Sequence, residues 1–341
     1  MLGLLVAAAT AAAIGLLLTP LLIARLRAAR IGQAIQEEVG QHTAKAGTPT
    51  MGGAIITAAL VVGYVAGHLA LRSWPSSTGM LVVAAIIGGS LVGGVDDWLK
   101  VRHERNLGLR ERQKTIGLLV VAVTFVVVHG QSAGSCDAIA LTRCDGPGFR
   151  LGPVVWALFG IALFWLTANA VNFTDGLEGM LAGSGAMSFA ALAAIGFWQF
   201  RHLADYGVRD ALDLATVAAA VGAGCVGFLW WNANPTTIFM GDVGSLALGS
   251  GIAALTLSMN VPLLVPLLGA LYVAEGGSSF LQRWWFRITG GRRLFRMAPV
   301  HHHFELGGWP ESTIIVRFWI VSGMGAALAL ALFYGDFFRV G

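Results

Sequence analysis

Five carboxylates and three imidazoles carry the chemistry this sequence could do. Asp96 and Asp97 are adjacent at the close of one apolar run, Asp175 and Glu178 lie three residues apart between two more, and Asp242 opens another behind Gly241. Acids brought to one face repel one another unless a cation joins them. Hard oxygen ligands with no partnering cysteine favour magnesium or manganese over zinc, and magnesium usually binds one or two carboxylates together with substrate phosphates. The set therefore points to phosphate chemistry. Any one of these acids alone would read as an ordinary cap or a solvated helix end.

His301, His302 and His303 follow Pro299. Three consecutive imidazoles cannot all face one metal from a regular helix, but a bend after the proline aims one or two at a phosphate as donors. Zinc ligation is disfavoured because no suitably spaced cysteine or second histidine cluster accompanies them. The turns Gly47-Thr-Pro-Thr50-Met-Gly52-Gly53 and Met240-Gly-Asp242-Val-Gly244-Ser245 each precede an apolar run, and the exposed N–H groups of a helix start suit a phosphate. Neither matches the P-loop pattern. Lys45, Lys100, Lys114 and the arginines can neutralise a diphosphate; anchoring to anionic lipid explains most of these cations, and Lys45, within a polar motif, is the one expected to serve the phosphate.

The elements that must position these residues are membrane helices. The chain has 341 residues, 56% hydrophobic and 12% charged, with a mean hydropathy of +0.73. Apolar runs of about 18–22 residues match the hydrocarbon thickness, and the 46 glycines suit close helix packing in lipid. The fold class expected is all-α and polytopic, a single transmembrane catalytic domain over 1–341. Ten spans are expected, near 2–23, 51–70, 79–95, 115–130, 153–171, 179–199, 213–231, 244–259, 264–282 and 313–334. The first lacks a basic leader and a small-residue cleavage site, so it reads as a retained span. Two aspartates in mid-membrane would cost about 5–7 kcal/mol on insertion scales, which places Asp96 and Asp97 at a helix end.

The net charge of +4 is unevenly placed. The loops after spans one, three and nine hold Arg25, Arg27, Arg30 and Lys45, then Lys100, Arg102, Arg105, Arg110, Arg112 and Lys114, then Arg283, Arg287, Arg292, Arg293 and Arg296. The other side has Arg72, Arg143, Arg150, Arg201, Arg209 and Arg339. The positive-inside rule makes the first side cytoplasmic and both termini external. All the polar motifs fall on the cytoplasmic side, whereas the external loops read as ordinary turns. Glu275, inside span nine, is the one deep ionisable group. Three cysteines are too few for a disulfide framework. Cys136 and Cys144 fall outside, where a disulfide is permitted though spacing does not establish one; Cys225 reads as packing.

Five segments in this order carry a resemblance: HTAKAGTPTMGG from His42, DDWLK from Asp96, NAVNFTDGLEG from Asn169, FMGDVGSLALG from Phe239 and APVHHHFE from Ala298. Over nearly the whole chain the sequence resembles the polyprenyl-phosphate N-acetylhexosamine-1-phosphate transferase family, and within it the phospho-N-acetylmuramoyl-pentapeptide transferase (translocase I) branch. The resemblance implies ten spans, magnesium dependence, and a multi-pass enzyme of the bacterial cytoplasmic membrane with its site facing the cytoplasm. Its partners would be UDP-MurNAc-pentapeptide, undecaprenyl phosphate and membrane lipid, with a homodimer expected and no nucleic acid. The reaction would give lipid I and UMP in peptidoglycan synthesis. By matching positions, Asp242 resembles the magnesium ligand, Asp96 and Asp97 the essential acidic pair, and His302 and His303, beside His301, the polar wall of the nucleotide-sugar site. Lys45, Thr50, Lys100, Lys114, Asn172, Asp175, Glu178 and Asn234 resemble substrate contacts. Family members usually read DGLDG where this chain has Asp175-Gly-Leu-Glu178-Gly, a departure that predicts altered recognition of uridine and of inhibitors that mimic it.

The acceptor phosphate is already about −1.5 to −2 charged near pH 7, so the barrier lies in bringing two anions together. Direct attack is therefore expected over a covalent aspartyl-phosphate route. A transferase for GlcNAc-1-phosphate is the alternative within the class. A lipid or nucleotide-sugar transporter is the alternative outside it, and would show polar groups facing both sides. Pro262 and Pro266 make span nine a candidate for a bent helix that opens a groove for the lipid tail.

Overall fold

The computed structural model describes residues 1–29, 47–103, 108–131, 138–144, 148–150 and 152–340. Lys45 and Cys136 lie outside them. Each of the ten apolar segments is helical. In chain order the helices among the described residues are α1 (Leu2–Ala28), α2 (Ala54–Leu71), α3 (Ser77–Arg102), α4 (Glu111–Gly130), α5 (Gly152–Thr174), α6 (Met180–Arg201), the short α7 (Leu203–Tyr206), α8 (Ala211–Asn232), α9 (Asp242–Ser258), the short α10 (Val265–Leu268), α11 (Ala270–Ile288), the short α12 (Val300–Glu305) and α13 (Glu311–Val340). Among the described residues the strands are two three-residue pieces, β1 (Ala138–Ala140) and β2 (Gly148–Arg150), paired antiparallel between α4 and α5. Cys144, in the connection between them, is disulfide-bonded, and Cys225 is a buried free thiol.

Eight of the helices are long and apolar enough to cross a membrane. A further pair, Pro262–Leu268 and Ala270–Ile288, passes that test together but bends by 85°. The break falls at Gly269, after the two prolines that limit helix continuation, so the bent helix expected of span nine is present. α9 has 17 residues, about 26 Å at 1.5 Å per residue and short of a ~30 Å hydrocarbon core. It is also the most enclosed helix, buried at every position from Val243 to Ser258. Its neighbours α3 and α5 flank it, while α1 packs on α2 and α8, and α6 on α8 and α13.

Two boundaries differ from expectation for local reasons. α2 begins at Ala54, because the preceding stretch pairs with the start of α9: Phe239 donates its amide to Pro49, Gly52 to Phe239 and Gly53 to Met240, at 2.8–2.9 Å. That pairing clamps the two glycine-rich turns together. α3 continues past Val95 to Arg102, so Asp96 and Asp97 lie inside its last two turns. Lys100 sustains this extension, 2.6 Å from Asp96 at i,i+4 and 3.5 Å from Asp97 at i,i+3.

Gly93 fixes how α3 meets α9. A Cβ there would strike the backbone carbonyl of Asp242, so only glycine allows the two helices to touch backbone to backbone. That approach brings Asp96 and Asp97 to the first turn of α9.

Candidate active site

The first turn of α9 is the centre of the site. Gly241 has no side chain with which to cap the helix, and Asp97 does so from α3, accepting the Val243 amide at 3.0 Å. Asp96 accepts the Leu109 amide through Oδ1 at 2.7 Å, holding the chain that leads into α4, and turns Oδ2 to Lys100 at 2.6 Å. Both aspartates are 2% exposed. Asp242, the first residue of α9, is half-buried and gathers the remaining partners. Lys100 and Lys114 both reach its Oδ2, at 2.8 and 2.7 Å, and Asn172 donates to its Oδ1 at 2.7 Å. Asn172 also donates to Ser245 at 2.8 Å and accepts from Lys114 at 3.2 Å.

Ends of four helices thus meet at one point: the end of α3, the starts of α4 and α9, and the end of α5. Asp96, Asp97 and Asp242 each bring a carboxylate oxygen within 4.8 Å of the other two. With every group ionised, the three carboxylates outnumber the Lys100 and Lys114 ammonium groups by one negative charge. The positive end of α9 offsets part of it. An oxygen-only, buried donor set with residual negative charge suits a hard divalent cation, and on a cation's arrival the two ammonium groups would transfer to an anionic ligand.

The loop after α5 borders this cluster. Asp175 is half-buried. Burial first, then the negative charges of Asp242, Asp97 and Glu178, push its carboxyl up to about 8, against the opposing pull of Lys100. Glu178 is buried, and the Gly179 amide beside it donates to Asn232 at 2.9 Å. Asn232 in turn donates to the Ile238 carbonyl, so it braces the loops from within. Asn234, at the exposed turn after α8, joins no hydrogen bond among the described residues. Thr50 is buried beside the Asp97–Gly241 contact.

His303 turns away from the other two histidines, whereas the His301 and His302 rings lie 4.0 Å apart between centroids and, with Glu305, bring polar atoms within 4.8 Å of one another. His301 is 1% exposed and its Nδ1 is 2.9 Å from Glu275 on α11. His302 pairs through Nδ1 with Glu305 at 2.6 Å. His303 accepts the Arg296 amide at 3.1 Å and meets Phe295 edge-on, which ties it to its own loop. The Leu109 amide and Arg283, whose guanidinium is 5.9 Å from the Phe173 ring, lie outside the sequence motifs, and Ser245 lies within one without being singled out. Ser245 had a signal, being one turn beyond Asp242 on the same helix.

The opposite end of the bundle is less ordinary than its short turns suggest. Asp213, at the start of α8, accepts from Tyr64, from the Ser76 amide and from the Ser76 hydroxyl, at 2.8, 2.8 and 2.6 Å. His68 lies 2.8 Å from its other oxygen. This clasp ties the α2–α3 connection to α8.

Residues 78–260, which hold α3 to α9 and the whole acid cluster, match the model of glycosyl transferase family 4. A phospho-N-acetylmuramoyl-pentapeptide-transferase of Mycobacterium sp. (strain KMS) is 44% identical, with 97% of each chain covered. That of Saccharopolyspora erythraea is 44% identical over 98% of this chain and 97% of its own, and that of Mycobacterium tuberculosis (strain ATCC 25177 / H37Ra) is 45% identical over 97% of each. With a family model matched over more than half of its length and relatives aligned along nearly all of it, this chain belongs to the phospho-N-acetylmuramoyl-pentapeptide-transferase family.

Proposed function

We propose that the chain transfers phospho-MurNAc-pentapeptide from UDP-MurNAc-pentapeptide to undecaprenyl phosphate, giving lipid I and UMP for peptidoglycan synthesis. The observation that carries this reading is the Asp96, Asp97 and Asp242 cluster bridged by Lys100 and Lys114. It is a place where an anionic diphosphate and an anionic acceptor can both be tolerated.

A phosphate oxygen of the lipid attacks the sugar-bearing phosphorus of the donor, the bridging P–O bond breaks, and UMP leaves with the bonding electrons. Magnesium, when bound, would supply charge neutralisation on the diphosphate, and Asp242 with Asp96 and Asp97 would hold it. Lys100 and Lys114 take the leaving phosphate as their carboxylate partner is engaged. Asp97 Oδ1, whose neighbour is Lys100 at 3.5 Å, is the oxygen free to position the acceptor or take its last proton. The deep burial and backbone bonds of Asp96 and Asp97 support direct attack over an aspartyl-phosphate intermediate. Asp175, Glu178 and Asn172, with Lys45 and Asn234, contact the nucleotide; His302 lines the sugar side.

The membrane arrangement belongs to the same proposal: ten crossings in one transmembrane catalytic domain, the basic loops and the site in the cytoplasm, both termini outside, in the bacterial cytoplasmic membrane. The soluble donor reaches the site from the cytoplasm, while the break at Gly269 admits the lipid tail.

The test is UMP release by purified protein from UDP-MurNAc-pentapeptide and undecaprenyl phosphate with and without magnesium. Release that needs both substrates and the metal, and that fails in Asp242→Ala, is expected. Release from UDP-GlcNAc instead would assign the other branch of the class.

A further inference from the structure

Glu275 has no place in the transfer chemistry, yet it is a carboxylate with 0% exposure on α11. Its Oε2 is 2.9 Å from His301 Nδ1. A carboxylate accepts, so the proton on that bond belongs to the imidazole. The other two polar atoms of the pair, Glu275 Oε1 and His301 Nε2, are buried without a hydrogen-bond partner among the described residues. Buried polar atoms left unsatisfied are costly, and a pair of apolar side chains would fill the same space without that cost.

The far edge of the His301 ring explains where the pair acts. Nε2 and Cε1 occupy the space that a side chain at position 176 would need: a Cβ on Gly176 would collide with Nε2 and come within 2.5 Å of Cε1. Gly176 lies between Asp175 and Leu177 in the loop that borders the acid cluster. The turn therefore closes directly on the ring, and the ring is held by Glu275. Hydrogen bonds from outer groups that fix an imidazole's tautomer and direction are a recurrent device in functional sites.

We propose that Glu275 is a positioning residue: by holding His301 against Gly176 it sets the Asp175–Glu178 turn in the conformation that receives the nucleotide of the donor. The inference rests on the transferase reading for the identity of that donor. It assigns Glu275 no contact with substrate, and it assigns Gly176 its lack of a side chain to the ring rather than to the ligand.

The experiment compares wild type, Glu275→Ala, Glu275→Gln and Gly176→Ala in two measurements, steady-state UMP release and binding of UMP alone by calorimetry on the folded, monodisperse fraction. Loss of one hydrogen bond to a charged group corresponds to about 10- to 100-fold. Glu275→Ala should raise the KM for UDP-MurNAc-pentapeptide and weaken UMP binding by about that factor, leaving kcat and the KM for undecaprenyl phosphate within about 3-fold. Glu275→Gln should recover most of the affinity, because its amide oxygen still accepts from Nδ1. Gly176→Ala should reproduce the donor defect. Unchanged UMP affinity in Glu275→Ala, a defect confined to kcat, or a Glu275→Gln variant no better than Glu275→Ala would overturn the proposal. If the wild type released no UMP from the donor, the transferase reading would fall, while the UMP-binding comparison would still decide the positioning role.

Discussion

Asp97 accepts the backbone amide of Val243 at 3.0 Å, so the second aspartate of the pair caps the very helix that Asp242 begins. One carboxylate oxygen is committed to the fold and the other faces Lys100 at 3.5 Å. The acid pair and Asp242, the acid proposed to hold the metal, are thereby one structural unit, assembled by the backbone contact at Gly93. The two duties of Asp97 differ in chemistry: an amide oxygen can accept the Val243 N–H, but it carries no charge and takes no proton.

That difference separates the duties experimentally. Asp97→Asn should keep the cap and unfold within about 0.5 kcal/mol of wild type, while UMP release falls by at least about 100-fold, the usual scale for a lost acid–base group. Asp97→Ala should lose the same activity and also about 1 kcal/mol of stability with the cap. Thermal unfolding in detergent beside the release assay checks both. Equal stability in the two variants would remove the capping role.

Lys114 gives a second prediction. It joins Asp242 to Asn172, at 2.7 and 3.2 Å, and a charged hydrogen bond of this type contributes about 1.5–3 kcal/mol. Lys114→Met should lower kcat/KM for the donor by about 10- to 100-fold, with a smaller effect on the lipid acceptor. Lys114→Arg should not rescue it, since a planar fork cannot replace a compact ammonium between an acid and an amide. Initial rates with each substrate varied in turn decide this.

Much of this site could be read from residue order, and the unread part has a common cause. The helices follow from apolar runs near the hydrocarbon thickness, and the break at Gly269 from Pro262 and Pro266. Asp242 stood out because it opens a helix behind Gly241. The extension of α3 was not visible, because stopping at Val95 is what hydropathy alone suggests and Lys100 acts through i,i+3 and i,i+4 pairs with the acids. The cap from Asp97 to Val243 spans 146 residues and depends on a register that only the α3–α9 contact sets. The Asp213 clasp was missed for the same reason: its partners are 137 to 149 residues away, and each segment alone looks like an ordinary turn.

Gly93 and Gly94 offer a neighbouring pair with opposite expectations. A Cβ on Gly93 meets the Asp242 backbone, whereas on Gly94 the nearest atom is Val243 Cγ2 at 3.6 Å, an ordinary contact. Gly93→Ala should cost about 1–3 kcal/mol by overpacking and, by displacing Asp242, reduce kcat by up to about 100-fold. Gly94→Ala should be neutral or stabilising by up to about 1 kcal/mol, as at any helical site that accepts alanine. Unfolding midpoints and kcat for the two variants test the contact directly.

The Asp175 carboxyl sets the pH behaviour of the metal-free protein. Its value in the fold, pushed up to about 8 by burial and then by Asp242, Asp97 and Glu178, lies far above the ~3.9 of an unfolded chain. Between those values the folded protein holds a proton that the unfolded chain has released, so stability falls as pH rises through that window. In EDTA, the unfolding midpoint should decline from pH 6 to pH 9. Asp175→Asn, which has no proton to lose and keeps the size of the side chain, should flatten that decline and raise the midpoint most at the alkaline end. Adding magnesium should restore the wild-type midpoint at pH 8 to 9 by offsetting the acids' repulsion, and should do so far less in Asp242→Ala. A wild-type midpoint that rises with pH in EDTA, or a slope that Asp175→Asn leaves untouched, would show that the loop's acid is ionised in the fold throughout this range and that its neighbours do not oppose it.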